Sequence, residues 1–453
     1  MYRIGSGAGF SGDRIDAAQP VVEAIAATGE GGAIIFETIG ERTLALGQIA
    51  KRRDPKAGYE PLLEQFLPPI LKTCVENRIV IVGNFGCANP RAAADTIRAM
   101  AEAQGFAGAR IAVVEGDDLV GRVDISATER WEGDRHLPAP SGDVIAVNAY
   151  IGARPIAEAI RAGAQVVVTG RVADPALALG PLVAHFGWDW NDLDLLAAGT
   201  LAGHLLECGS QVSGGFFADP GYKDVPDPAN IGFPIAEVEA DGTFVLTKAE
   251  GTGGCVDTRT VKEQLLYEIH DPAAYLTPDV TLDLTEVEVV AVGRDRVRVT
   301  GARGHAAPTT LKATVGYYGD WLGEAEISYA GPNALQRARL AVSIMRDRLA
   351  KRALDVASRA DVIGTTSVFD DDSGTLFEGF RGENDGDYRV RFAFGGEAGA
   401  VEAAVQEVNA LYCCGPAGGG GVRQSVRPRV RTVSHLVPRS LVSVSHSFIG
   451  ETS

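Results

Sequence analysis

The first half of the chain alternates short apolar runs with helical ones, and this alternation restricts the fold more than any other feature. Ala33 to Phe36, Arg78 to Val82, Arg110 to Val114, Val144 to Asn148 and Gln165 to Thr169 read as strands. Between them, Asp16 to Thr28, Tyr59 to Glu76, Pro90 to Gln104 and Arg154 to Ala162 read as helices. Near-continuous Val/Ile/Ala strands separated by helices predict a parallel sheet covered on both faces, a Rossmann-like α/β architecture. Such sheets bind ligands at the carboxyl ends of their strands. The segments that fall there carry Glu37, Asn84, Cys87, Glu115, Asn148, Arg171 and Asp174.

From about Asn230 the pattern changes. Phe244 to Thr247, Glu286 to Val292, Arg296 to Thr300 and Leu311 to Tyr317 alternate as antiparallel strands do. Pro332 to Leu354 reads as an amphipathic helix with Arg337, Arg339, Arg346 and Arg348 on its polar side. Arg389 to Phe394, Val426 to Thr432 and Leu441 to Val444 read as further strands around a helix at Gly399 to Tyr412. The expected division is therefore an α/β parallel-sheet domain over 1–229 and an α+β domain with a mixed or antiparallel sheet over 230–453. A chain of 453 residues is too long for one ordinary core, which agrees with that division. The acidic run Asp370 to Asp372 reads as a solvated loop.

The formal net charge of −17 argues against nucleic acid or an anionic membrane as a partner, since both need a basic face. The amino terminus lacks a basic segment followed by an apolar run, no stretch reaches membrane-spanning length, and the six cysteines form no CxxC pair. A cytoplasmic protein with reduced thiols is expected.

Reactive side chains crowd at one helix end. Leu193 to Leu206 reads as a helix, which puts His204 and Cys208 one turn apart with Glu207 on the adjoining face. Gly209, Gly214 and Gly215 then break the helix. Glu207 as general acid or base assisted by His204 is the simplest chemistry; a His204–Cys208 thiolate pair is harder to align. A metal alternative recruits His204, Glu207 and Asp174 to magnesium or manganese. A capped helix with a buried cysteine is the purely structural alternative.

Three glycine loops could hold an anion. Gly7, Gly9 and Gly12 satisfy GxGxxG, and Glu37 stands where a ribose-binding acid would, the outline of a dinucleotide site. Against it, the strand before the motif is only Tyr2 to Ile4 and Pro20 interrupts the following helix. A backbone nest for phosphate or carboxylate, with Asp13 and Arg14 at its rim, is the more general reading. Thr252, Gly253 and Gly254 precede a helical run at Arg259 to Ile269 and would offer N–H groups to an oxyanion. Gly415 to Ser425 carries four consecutive glycines with Arg423 nearby. Arg171 could grip a substrate carboxylate, with Asp174 as base, ligand or salt-bridge partner.

The runs GSGAGFSGDR, TGRVADPALALGPL, HLLECGSQVSGGFFADPG, GTGGCVDTRTVKEQLLYEIHDPAAYLTPDV, SYAGPNALQRARLA and GGGGVRQSVRP together resemble the acyclic terpene utilisation AtuA family over nearly the whole chain. The resemblance implies an α/β first part followed by a mixed second part. It also implies catabolic pathways in which branched acids are handled as CoA thioesters, near carboxylases, hydratases and lyases. Longer relatives carry an additional carboxyl-terminal domain, so a small partner protein supplying it is expected here.

These readings converge on a catabolic lyase or hydratase acting on a carboxylic acid or its CoA thioester, expected as a homo-oligomer. Glu207 or His204 would abstract a proton next to a carbonyl, with Cys208 and Asp174 nearby. Arg171, Asn84, Arg423, Asp13 and the Gly7/Gly9 loop would bind substrate, and Thr252 to Gly254 would hold the oxyanion. The rivals are an NAD(P)-dependent oxidoreductase and a non-catalytic, partner-dependent binding subunit.

Overall fold

The computed structural model describes residues 1–106, 108–131 and 142–450. The chain begins β1 (Tyr2–Ala8), α1 (Ala18–Ala26), β2 (Gly32–Phe36), α2 (Glu41–Arg53), α3 (Leu63–Phe66), α4 (Leu71–Glu76) and β3 (Ile79–Gly83). It continues α5 (Pro90–Ala103), β4 (Ile111–Glu115), β5 (Glu129–Arg130), β6 (Val144–Ala149), α6 (Arg154–Arg161), β7 (Val166–Thr169), α7 (Ala176–Phe186) and α8 (Leu193–Glu207). Next come β8 (Pro234–Val238), β9 (Phe244–Lys248), α9 (Thr258–Leu266), β10 (Tyr275–Leu276), β11 (Thr281–Asp283), β12 (Glu288–Gly293), β13 (Arg296–Thr300) and β14 (Arg303–His305). The last elements are β15 (Thr310–Ala330), α10 (Ala334–Lys351), β16 (Val356–Ile363), α11 (Thr375–Gly379), β17 (Asp387–Gly396), α12 (Ala398–Cys414), β18 (Gly420–Pro438) and β19 (Ser445–Phe448).

They form two compact units. The first gathers the described residues within Met1–Pro138, Val144–Gly316 and Thr432–Ser453, the second those within Ala139–Asp143 and Tyr317–Arg431. The point 229/230 lies inside the first unit, because β8 pairs directly onto β1 and β9 onto β8.

The first unit is built on a ten-stranded sheet in the order β12-β13-β9-β8-β1-β2-β3-β7-β4-β19. The central strands β1, β2, β3, β7 and β4 are parallel. Antiparallel β8 and β19 flank them. By rank along the chain the parallel strands run first, second, third, fifth, fourth, an order unlike the 3-2-1-4-5-6 of dinucleotide-binding sheets. Ile34, Phe36, Ile79, Ile81, Ile111, Val113, Val166 and Val168 share one buried cluster with α1, α3, α4 and α5. Helices α6, α7 and α8 pack together and against the same strands, so the sheet is covered on both faces and its strands are apolar throughout.

Four local expectations change. Val144–Ala149 leaves the parallel sheet and pairs with β15, since an apolar run does not specify its partner. The chain over Arg439–Leu441 makes a 3-10 turn, and the strand comes later at Ser445–Phe448, where a polar sequence hides it. β1 extends to Ala8, so Gly5 and Gly7 lie within a strand. Pro20 sits in the first turn of α1, where a missing N–H costs nothing.

In the second unit β17 pairs antiparallel with both β15 and β16. Ala325, Ile327, Tyr329, Val390, Phe392 and Phe394 bury one face under α10 and α12. The other face carries charges: Arg391 bonds Glu324 and reaches Asp361 at 3.1 Å, and Arg427 reaches Glu324 at 3.0 Å. Asp370 and Asp371 accept N–H groups around the start of α11, giving the acidic run a capping role. Among the described residues no helix is long and apolar enough to cross a membrane.

Candidate active site

Polar side chains converge where the parallel strands of the first unit end, and the α8 terminus closes over them. Asp192 caps the start of α8 by accepting from the Leu195 N–H. From Leu196 to Glu207 nearly every residue of the helix is buried, as expected of a helix apolar all round. Gly203 lets its backbone lie against Pro175, where any Cβ would overlap. This close packing fixes the last turn, which presents His204 and Glu207.

His204 Nδ1 and Glu207 Oε1 are 2.8 Å apart, and His204 Nε2 is 3.2 Å from the Leu265 carbonyl. A carbonyl only accepts, so Nε2 carries the proton and one further proton lies between Nδ1 and Oε1. The other carboxyl oxygen, Glu207 Oε2, is buried without a hydrogen-bond partner. Burial pushes the Glu207 carboxyl above its ordinary range, and the neighbouring His204 offsets this only in part. His204 is itself moved upward: burial opposes its charge, but Glu207 and the backbone at Leu265 and Gln264 together more than compensate.

A second buried carboxyl comes from β2. Glu37 Oε1 accepts from Asn84 Nδ2 at 2.9 Å and from the Ile39 N–H at 3.0 Å. Burial pushes Glu37 up to about 7, against the pull of Arg171, with Glu207 adding to the rise. Asn84 Oδ1 in turn accepts from the Thr38 N–H at 2.7 Å, so both ends of its amide serve to hold Glu37. A third carboxyl, Asp117 beyond β4, accepts from Asn148 Nδ2 at 2.8 Å and the Arg171 N–H at 2.9 Å, yet burial still raises it to about 6.

Arg171 is the fixed charge among these groups. It is 1 % exposed. Its Nε donates to the Val172 carbonyl at 2.7 Å, Nη1 to the Ile39 carbonyl at 2.5 Å and Nη2 to Asp174. Its guanidinium stacks over Tyr150, 4.4 Å from the ring centroid. The Tyr150 hydroxyl donates to Glu41 at 2.8 Å, and Lys312 stands 3.2 Å from the same carboxylate. Burial pushes Glu41 upward, but Lys312, its own helix-start N–H, Tyr150 and Arg171 together bring it down to about 2.

Strained backbone surrounds the cluster. Cys87, Phe216 and Glu268 all hold left-handed φ values of 48°, 56° and 58°, and such outliers concentrate at functional sites. Cys87 lies in the field of Arg171 and Asp117. Glu268 lies in the field of Glu207 and Cys208.

The family model for the acyclic terpene utilisation family protein AtuA matches residues 2–448. The chain belongs to the AtuA family. No curated protein matches it.

In this AtuA-family chain several residues singled out from sequence come together: His204, Glu207, Cys208, Asn84, Arg171 and Asp174. The surroundings of Cys208, Arg171 and Asp174 differ from those expected. Cys208 is the C-cap residue of α8, and burial, reinforced by Glu207, pushes its thiol far above the ordinary range, away from a thiolate. Arg171 and Asp174 grip each other, so neither presents a free clamp. Gly7 lies against the Phe36 ring and Gly9 against Cys208 and Gly209, close approaches to the protein itself rather than to a ligand. The Gly9 N–H donates to Asp13 at 2.8 Å, which fills the proposed nest from within.

The Thr252–Gly254 loop is likewise committed. The Gly253 N–H donates to the Asn230 carbonyl and the Gly254 N–H to Pro226, both at 2.7 Å, and the Thr252 N–H reaches Ala249 at 3.4 Å. Those N–H groups hold a chain crossing and leave no oxyanion hole. Arg423 is exposed on β18 in the second unit. Among the described residues no group of three or more His, Cys, Asp or Glu side chains gathers as metal ligands: His204 and Glu207 bond each other, and Asp174 bonds Arg171.

Sequence reasoning missed Asp117, Tyr150, Tyr275 and Gln264 as neighbours of the site. Tyr275 packs edge-on to His204 with ring centroids 5.4 Å apart, and Gln264 donates to the His204 carbonyl at 3.1 Å. Asp117 had a signal: it lies two residues past the end of β4, in the VEGDD segment where the topology places ligands. Tyr150 follows Asn148 past the end of another apolar run, and Gln264 and Tyr275 lie within the run from Gly251 to Val280, where no spacing singles them out.

Proposed function

We propose that this AtuA-family protein is a catabolic lyase or hydratase that moves a proton at the carbon next to the carbonyl of a carboxylic acid or its CoA thioester. The observation that carries the reading is the pair of buried carboxyls, Glu37 held by Asn84 and Glu207 held by His204, each raised by burial, with Glu207 adding to the rise of Glu37. A carboxyl held near 7 can both give and take a proton at neutral pH, the condition for general acid–base catalysis.

In this reading Glu207 is the base. His204 fixes one of its oxygens and leaves Oε2 to receive the substrate proton. Glu37 is the acid that delivers a proton to the departing hydroxyl, which leaves as water; in the hydration direction the two exchange roles. Arg171 keeps Glu37 and Glu207 from rising further and provides positive charge for an enolate formed between them. Acyclic terpene utilisation, the process in the family's name, suggests a branched acyl chain on the substrate.

Turnover of Glu207→Gln and Glu37→Gln on branched acyl thioesters and free acids tests this. Loss of about a hundredfold or more in each is expected for removal of an acid or base. Full activity in either variant removes that residue from the mechanism.

A further inference from the structure

Phe216 is an aromatic residue in an unfavourable place. Its φ of +56° is one that bulky side chains rarely adopt. Its side chain recovers little for that strain by burial, because the residue is 87 % exposed. An exposed, strained aromatic persists when something other than packing selects it. Three observations tie it to the candidate site. It leaves the α8 terminus within eight residues of Cys208. It meets Tyr267 edge-on with ring centroids 6.3 Å apart. The Tyr267 phenol in turn lies in the field of Glu268 and Cys208. Phe10, also exposed, follows Gly9, whose backbone rests on Cys208.

We propose that Phe216 and Tyr267 form the subsite for the apolar chain of the substrate, so that the preferred ligand is a long acyl group rather than a short one. The proposal rests on the proton-transfer reading for the location of the reacting head group. With that head among Glu37, Glu207 and Arg171, a chain leading away past Cys208 and Glu268 would meet the paired rings of Phe216 and Tyr267. The rings offer an acyclic hydrocarbon apolar area without requiring a closed pocket.

Titration calorimetry with butanoate and decanoate, each as free acid and as CoA thioester, tests the subsite without needing turnover. Failure of the proton-transfer reading and failure of the subsite are therefore separable. Each buried methylene should tighten binding roughly fourfold, so decanoyl should exceed butanoyl by roughly a hundredfold or more in at least one form. Phe216→Asn is the informative variant, because Asn tolerates the left-handed backbone and removes only the apolar ring. It should melt no lower than the unmodified protein, keep butanoyl binding within about twofold, and reduce the chain-length preference to below roughly tenfold. Equal affinity for the two chain lengths in both forms overturns the proposal, as does no binding of either decanoyl probe or an undiminished preference in Phe216→Asn.

Discussion

His204 and Glu207 face each other across 2.8 Å within the last turn of α8, one proton between them and the outer imidazole nitrogen tied to the Leu265 carbonyl. The pair is built in one helical turn of α8, and Leu265 of α9 holds the imidazole from outside that helix. Replacing His204 with Phe keeps the ring volume and strands Glu207 Oε1 and the Leu265 carbonyl. The expected loss is about 1–3 kcal/mol for each buried group left unpaired. Glu207→Gln keeps a hydrogen-bonding group and should cost less. Chemical denaturation of the two variants checks the order.

The buried carboxyls make stability depend on pH with a definite sign. Glu37 moves from 4.5 to about 7 on folding and Asp117 from 3.8 to about 6. A raised folded value means that the folded state holds the proton more tightly. The stabilisation is complete below the unfolded value and is lost as pH rises through the folded one. The protein should therefore be less stable at pH 8 than near pH 5. Glu37→Gln should reduce that difference by up to about 3 kcal/mol. Denaturant midpoints at the two pH values give the comparison.

Arg171 should resist conservative change. Lysine cannot reproduce three donors in a planar fork aimed at Val172, Ile39 and Asp174. Arg171→Met leaves those acceptors unpaired and removes the cation that lowers Glu37 and Glu207. A loss of about 3–5 kcal/mol is expected, measured by denaturation.

Two glycines should respond oppositely to alanine. At Gly9 a Cβ would overlap the backbone of Cys208 and Gly209, so Gly9→Ala should cost about 1–3 kcal/mol. At Gly399, in the first turn of α12, nothing lies near the added methyl, and the change should be neutral or stabilise by up to about 1 kcal/mol. Melting temperatures of the two variants separate these cases.

The strands at Ala33, Arg78, Arg110 and Gln165 were legible because a strand buried on both faces must be apolar throughout, and few other segments read that way. What periodicity could not supply was partnership. Val144–Ala149 is as apolar as the parallel strands but pairs with β15, and β9, β12 and β13 join the first sheet although their alternation suggested a separate domain. At the site, His204 and Glu207 were visible because they are close in sequence. Tyr150, Asp117, Gln264 and Tyr275 reach it through tertiary contacts that leave no local spacing. The glycine loops misled for a physical reason: glycine permits close approach of any backbone, and at Gly9 and Gly253 the approaching group is the protein's own chain.

The central claim is proton abstraction by Glu207, and exchange of the hydrogen next to the carbonyl tests it before the product is known. Decanoyl-CoA, a branched analogue and the free acids would be incubated with the protein in deuterated water and followed by proton NMR. The account predicts loss of the signal next to the carbonyl for at least one of these compounds, slowed about a hundredfold or more in Glu207→Gln. Exchange at an undiminished rate in that variant would contradict it.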